Sequence, residues 1–464
     1  MRIALAVSLI CASACTKPVA EIWVTTGDQT KLLSREADLP FGGGRSDLPL
    51  IEVADSGGFQ EMVGFGAAVT DASAILINGL AAERREALLR ELFDPDSGIG
   101  LSFTRLTIGA SDFSPHHYSF DDMPPGQRDP TLARFSIEPD RANRLPVVQR
   151  ALAINPSLKV MASPWSAPAW MKTNGKLIKG SLRPDAYEPF AEYLARYVDA
   201  YAAEGVPIFA LTIQNEPHFE PDNYPGMRVE APARARIIGE FLGPRLQRAG
   251  SRTLIFDWDH NWDEPQSPLA VLRDSVARSY IAGVAWHCYG GDVSAQSAVH
   301  DSFPAADTYF TECSGGEWAP KFGDNLVWNV RTLIIGTTRN WARGVLLWNL
   351  ALDENHGPHL GGCGNCRGVV TIDSKSGAIT RNVEYYALAH ASRFVRPGAR
   401  RIGSSAAVQG IESVAFRNPD RSTVLIVVNT AAAERRFGVR ARGRVLEYAL
   451  PAGAVTTLRW GGRD

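Results

Sequence analysis

The sequence predicts a (β/α)8 TIM barrel carrying a smaller, discontinuous β-sandwich domain. Three observations lead there. From about residue 68 to 385, apolar runs of strand length alternate with amphipathic stretches of helix length, about eight times over. Short β-like runs broken by Gly, Pro and Asp occupy both ends of the chain. The apolar runs of the middle part end in Asp, Asn, Glu, His or Trp, on the side where a parallel barrel keeps its functional loops. An open doubly wound sheet is the competing arrangement, but no G-x-G-x-x-G loop follows the first strand.

Taken in order, residues 1–20 read as an export signal: Arg2, the apolar "IALAVSLI", then small residues. Cys15 follows Ala12, Ser13 and Ala14, which resembles a lipoprotein cleavage box with Ala in the place usual for Leu. A lipid anchor at Cys15, plain secretion and a buried first strand are the three readings of this segment. The short strands of 21–62 ("EIWVTTGD", "LPLIEVAD") are expected to join the sandwich. The barrel is expected over 63–390, opening near "EMVGFGAAVT" and followed by the amphipathic helix 81–94. Its further strands are "IGLSFTRLTIGASD", "LKVMASPWSAP", "PIFALTIQNEP", "RTLIFDWDH", "IAGVAWHCYGG", "DTYFTECSGG" and "ARGVLLWNLALDE". Helical stretches such as "YEPFAEYLARYVDAYAAEG" separate them. Over 391–464 alternation and tight turns return without a helix-length run, which predicts a small antiparallel sandwich.

The 464 residues carry 48 basic and 50 acidic side chains, a net of −2, so charge gives no argument for nucleic acid or an anionic membrane as partner. After the leader no segment approaches the roughly 18 apolar residues of a transmembrane helix. Eleven Trp, twelve Tyr and nineteen Phe suit sugar-stacking surfaces and ordinary cores equally. Oligomeric state is not legible.

The strand ends carry the chemistry. They bring Asp112, Trp165, Asn215, Glu216, Asp257, Asp259, His287, Tyr289, Glu312, Trp348 and Asn349 to one rim. A retaining glycosidase needs one carboxylic acid to protonate the leaving oxygen and a carboxylate, about 5–5.5 Å away, to attack the anomeric carbon. Glu216 and Glu312 lie 96 positions apart, about three strand–helix units of roughly 30 residues, which sets them across the barrel mouth. Asn215 is placed to meet a sugar 2-hydroxyl, and Tyr289 to donate to Glu312 and keep it ionised. An ionised Glu312 is then expected to raise the pKa of Glu216. Strand-end acids are otherwise solvated charges or caps, and Asp257 and Asp259 are expected to be rim structure.

"SPWSAPAWMKTNG", "TIQNEP", "TECSGG" and "WNLALDENHGP", in this order, resemble glycoside hydrolase family 30, especially its glucosylceramidase-like branch. The resemblance runs from about Gly64 to the C-terminus. It implies a barrel with a sandwich built from both chain ends, and retention of configuration. It also implies Glu216 as acid/base, Glu312 as nucleophile, and Asp112, Trp165, Asn215, Tyr289 and Trp348 as sugar-holding positions. His287 matches a site histidine, and Arg105 an arginine that braces the acidic end. The substrate implied is a β-glucoside such as glucosylceramide, with an endo-β-1,6-glucanase or a β-xylosidase as alternatives. An open groove would favour the endo-glucanase and a closed pocket exo action. A carbohydrate-binding protein without catalysis is the alternative of another class. No cofactor is implied, since two carboxylates and water suffice.

In "ENHGPHLGGCGNC", His356, His359, Cys363 and Cys366 admit a zinc site, free thiols or a Cys363–Cys366 disulfide. The disulfide fits an exported protein best, and no metal is expected. Cys288 and Cys313 are expected to be small buried residues beside the site. Asn365 cannot be matched to the asparagine that contacts sugar in the mammalian relative.

Overall fold

A computed structural model describes residues 18–54 and 57–462. Cys15 and nearly all of the expected export signal lie outside the described residues. Val19 and Ala20, placed in that signal by the sequence, instead belong to the first strand, β1 (Val19–Thr25).

Eight parallel strands close into a barrel: β4 (Gly64–Ala68), β5 (Phe103–Ile108), β6 (Lys159–Pro164), β7 (Ile208–Thr212), β8 (Leu254–Asn261), β9 (Ile281–His287), β10 (Asp307–Glu312) and β12 (Ala342–Asn349), the last pairing with both β10 and β4. A two-residue strand, β11 (Gly315–Gly316), lies outside the ring. The barrel strands are buried on both faces, as their unbroken apolar runs require.

Side-chain alternation then builds the interior in layers. Phe103, Met161, Ala210, Phe256, Ala285, Tyr309 and Leu346, one from each of seven strands, form an apolar plug. Gly66 serves the eighth strand, where a Cβ would come 1.9 Å from the Phe103 carbonyl oxygen. Two residues further along the strands stand Arg105, Ser163, Thr212, His287, Thr311 and Trp348, the polar floor of the site.

β8 reaches the same floor by a bulge. Trp258 faces Ala285 and His260 faces Trp286, so Asp259 is the additional residue, with φ +58°. The bulge turns Asp259 inward while Trp258 packs outward against His218 and Arg234.

The sandwich draws on both chain ends. Its larger sheet contains Ile411–Arg417, Thr423–Asn429, Val455–Trp460, β1 and β2 (Ser34–Pro40); in the smaller, β3 (Leu50–Glu52) pairs with Arg435–Ala441. β1 runs antiparallel to Val455–Trp460, Ala20 facing Trp460. His390, on the helix Val383–Ser392, joins barrel to sandwich: its ring nitrogens lie 2.9 Å from the hydroxyls of Thr457 and Thr25. Burial pushes this imidazole down to about 3, so it is neutral and can donate to one threonine while accepting from the other. Among the described residues no helix is long and apolar enough to cross a membrane.

Candidate active site

Asp259 organises the floor. Its carboxylate accepts hydrogen bonds from Arg105 (2.6 Å), Ser163 (2.7 Å), Thr212 (2.8 Å) and Thr311 (2.7 Å), and lies 3.0 Å from His287 Nε2. Burial alone would raise this carboxyl. The Arg105 charge and the His287 hydrogen bond overcome it and hold Asp259 far below the ordinary range. The sequence suggests rim structure for Asp257 and Asp259, but neither is on the rim. Asp259 is fully buried beneath the site, and Asp257 is buried in an ion pair with Arg234, 2.8 Å away.

Arg105 carries the order upward. One of its terminal nitrogens reaches Glu312, and the other Asp259 and, at 2.7 Å, the side-chain oxygen of Asn215. Since Arg105 can only donate, Asn215 presents an oxygen to it and keeps its NH2 for another partner. The Tyr289 hydroxyl donates to Glu312 at 2.9 Å, while its ring is half exposed. Burial and the Glu312 charge push the Tyr289 phenol up, which keeps it a neutral donor.

Glu216 and Glu312 offer carboxylate oxygens within 4.8 Å of one another, with His287 in the same cluster. Glu216 leaves β7 with φ +48°, its N–H donating to the Asp259 carbonyl at 3.0 Å. A left-handed glutamate is strained, and the chain accepts that strain where the strand must turn this carboxyl over the mouth.

His287 settles the charges. Burial opposes its protonation, yet the Glu312 charge and the hydrogen bonds to Asp259 and Glu216 raise it to about 9. Burial also drives Glu216 up, but the adjacent imidazolium outweighs this and holds it below its ordinary value. Glu312 stands above its ordinary value because of burial, with Glu216 and Asp259 adding to it against the pull of His287 and Arg105. This order reverses the sequence expectation, which left out a cation between the two carboxyls.

A cavity of about 650 Å³ opens over this floor, and Asp112, Trp165, Asn215, Glu216, Tyr289, Glu312 and Trp348 line it. His287 does not, because it is wholly buried; His260 is the imidazole in the wall. Trp165 and Trp348 stack on each other, centroids 4.9 Å apart, so each has one face already covered, and Arg105 lies 4.8 Å from the Trp165 ring. Burial pushes the Asp112 carboxyl up to about 8, with the Glu312 charge adding to it, so at neutral pH it is protonated and a donor.

Four cysteines form two disulfides, Cys288–Cys313 and Cys363–Cys366. The first corrects the expectation of small buried residues: the ends of adjacent strands β9 and β10 bring the two together. The second leaves no thiolate for zinc. His356 instead lies 2.9 Å from the Cys366 carbonyl, and His359 2.9 Å from that of Gly361. The Asn365 carbonyl accepts from Glu317 N–H at 3.0 Å. Trp318, Phe219 and Tyr224 also line the cavity. Sequence reasoning missed them because it read only the first few residues past each strand; reading six residues past Glu312 would have reached Trp318.

Residues 62–395 match the glycosyl hydrolase family 30 TIM-barrel domain, and 398–458 the family 30 beta sandwich domain. The chain is 37% identical over 406 residues to endo-1,6-beta-D-glucanase neg1 of Aspergillus fumigatus, covering 82% of this chain and 80% of that protein. It is 29% identical over 410 residues to the lysosomal acid glucosylceramidase of Mus musculus, covering 81% and 76%. Its fold superposes on the endo-beta1,6-glucanase BT3312 with a TM-score of 0.88 at 32% identity, covering 96% of this chain and 99% of that one.

Proposed function

This chain belongs to glycosyl hydrolase family 30 and is a glycosidase, and on that footing we propose that it cuts β-1,6-linked glucan within the chain, with retention of configuration. The observation that carries retention is that one oxygen of Glu216 and one of Glu312 lie within 4.8 Å of each other, the close approach of a retaining pair rather than the wider gap that an inverting enzyme keeps for its water. In this reading a Glu312 oxygen attacks the anomeric carbon while Glu216 protonates the departing glycosidic oxygen. Water then adds to the glycosyl–Glu312 ester, giving its proton to Glu216 and releasing the carboxylate. Asn215 NH2 and the Asp112 carboxyl donate to ring hydroxyls, and Tyr289 steadies Glu312.

The acid needs a proton, and the raised imidazole of His287 is the group beside it that holds one. A sugar seated over Glu216 removes water from it, and desolvation favours a neutral imidazole–carboxylic acid pair over an ion pair. The proton passes along one hydrogen bond, whose heavy atoms, His287 Nδ1 and Glu216 Oε1, are 3.1 Å apart.

The linkage is read from the β-1,6-glucanases, to which this chain is more similar than to the glucosylceramidases. An open mouth bordered by Phe219 and Trp318 supports internal cleavage. The same apolar border favours glucosylceramide as the second reading. We further read the chain as exported, since two disulfides suit an oxidising compartment; two or more titratable thiols in the native, freshly isolated protein would count against it.

The test is hydrolysis of β-1,6-glucan, glucosylceramide, β-xylan and an aryl β-glucoside by wild type and Glu312→Ala. Early release of mixed oligosaccharides from β-1,6-glucan, lost in the variant, supports the proposal. Glucosylceramide turnover without glucan cleavage would replace it with the second reading.

A further inference from the structure

A second cavity, about 520 Å³, adjoins the catalytic one; Tyr289, Ser314 and Trp318 line both. Its remaining walls include Asn325 and Trp328, on the helix Phe322–Trp328, together with Asn329 and the Cys288–Cys313 disulfide. Trp318 and Trp328 are 55% and 42% exposed, and among the described residues they are the only exposed tryptophans. Both line this one cavity.

Trp318 is held in place. Its ring covers Gly316, where a Cβ would come 1.9 Å from ring carbon Cζ3. β11 pairs with Cys366–Arg367, and the Glu317 N–H bond to Asn365 ties the same loop across. Two large aromatic surfaces left in water beside an active site cost the fold hydrophobic stabilisation and offer faces suited to a sugar ring. The amide nitrogens of Asn325 and Asn329 are engaged with backbone carbonyls, which leaves their side-chain oxygens as acceptors for hydroxyls.

We propose that this second cavity is a remote subsite that receives a glucosyl unit of the same β-glucan chain whose scissile bond lies between Glu216 and Glu312. Trp318 forms the shared wall over which the chain passes, and Trp328 is the platform at the far side. The proposal rests on the glucan reading above and deepens it: polymer is held at two places, whereas a small glucoside fills only the first.

The experiment uses Trp328→Ala, a surface change outside the catalytic cavity, with Trp328→Tyr as the variant that keeps a stacking ring. For Trp328→Ala, kcat/KM on β-1,6-glucan is expected to fall roughly tenfold while that on an aryl β-glucoside stays within about twofold; Trp328→Tyr restores most of the loss. An equal effect on both substrates, or none on the polymer, overturns the subsite. Calorimetric titration of Glu312→Ala protein with β-1,6-gluco-oligosaccharides of increasing length gives a readout without turnover. Affinity that climbs with length and loses that gain on Trp328→Ala supports the subsite; affinity independent of length overturns it. Wild-type cleavage of β-1,6-glucan tests the glucan reading separately, so the two failures are distinguishable.

Discussion

His287 Nδ1 lies 3.1 Å from Glu216 Oε1, so the buried imidazole and the proposed acid hold one proton between them. The pair keeps that proton to about pH 9, where His287 titrates. In His287→Asn only the carboxyl remains to carry it. The basic limb of the kcat/KM profile is therefore expected to move down by more than about one pH unit. An unmoved limb would exclude the shared proton.

The same group links pH to folding. A histidine raised from 6.5 to about 9 in the native state contributes stability that is complete below about pH 6.5 and is lost as pH rises through 9. Thermal unfolding from pH 6 to 10 should show this loss in wild type and a flatter profile in His287→Asn. Parallel profiles would refute it.

Asp112 has the opposite consequence. Its carboxyl is raised to about 8, so on unfolding above pH 4 it gains freedom to ionise, which favours the unfolded state. Asp112→Asn removes that penalty. We expect stabilisation of roughly 2 kcal/mol at pH 7 that fades toward pH 4, together with weaker sugar binding. Calorimetry at the two pH values decides it.

Arg105→Lys tests whether charge alone suffices. A lysine cannot meet Asp259, Asn215 and Glu312 together, as the fork does. Stability should drop by about 3 kcal/mol and activity by at least about a hundredfold, measured by denaturant unfolding and aryl β-glucoside turnover. Near-wild-type values would show that the fork geometry is dispensable.

The eight barrel strands were legible because each is a continuous apolar run with a polar exit, as a strand buried on both faces must be. Glu216, Glu312 and Tyr289 were legible for the same reason: they stand at the exits. Asp259 was not, because only a bulge separates an inward residue from an outward one, and one strand's residues do not reveal the register of its neighbour. The sense of the Glu216 and Glu312 shifts was missed because it depends on a third residue whose ring crosses between strands. Cys288 and Cys313 lie 25 positions apart, and only the adjacency of β9 and β10 makes them partners.

That disulfide sits one residue from Tyr289 and one from Glu312. Replacing both cysteines by alanine is expected to cost about 3 kcal/mol and to lower kcat, because the strand ends that hold the Tyr289–Glu312 bond are no longer tied. Removal of Cys363–Cys366, which closes a span of only three residues, should cost less stability and act on KM through the cavity wall it forms. Equal effects of the two double variants on kcat would contradict this.

The pairing of β1 with Val455–Trp460 has a consequence for synthesis. β1 is synthesised 430 residues (455 − 25) before the strand it pairs with, so the barrel can assemble while β1 and β2 are still without their sheet. His390 likewise waits for Thr457. A chain halted just before residue 455 would hold a complete ring of barrel strands and an unfinished sandwich edge, which exposes it to association with other nascent copies. Emergence of Val455–Trp460 is thus the event that joins β1 to the rest of its sheet.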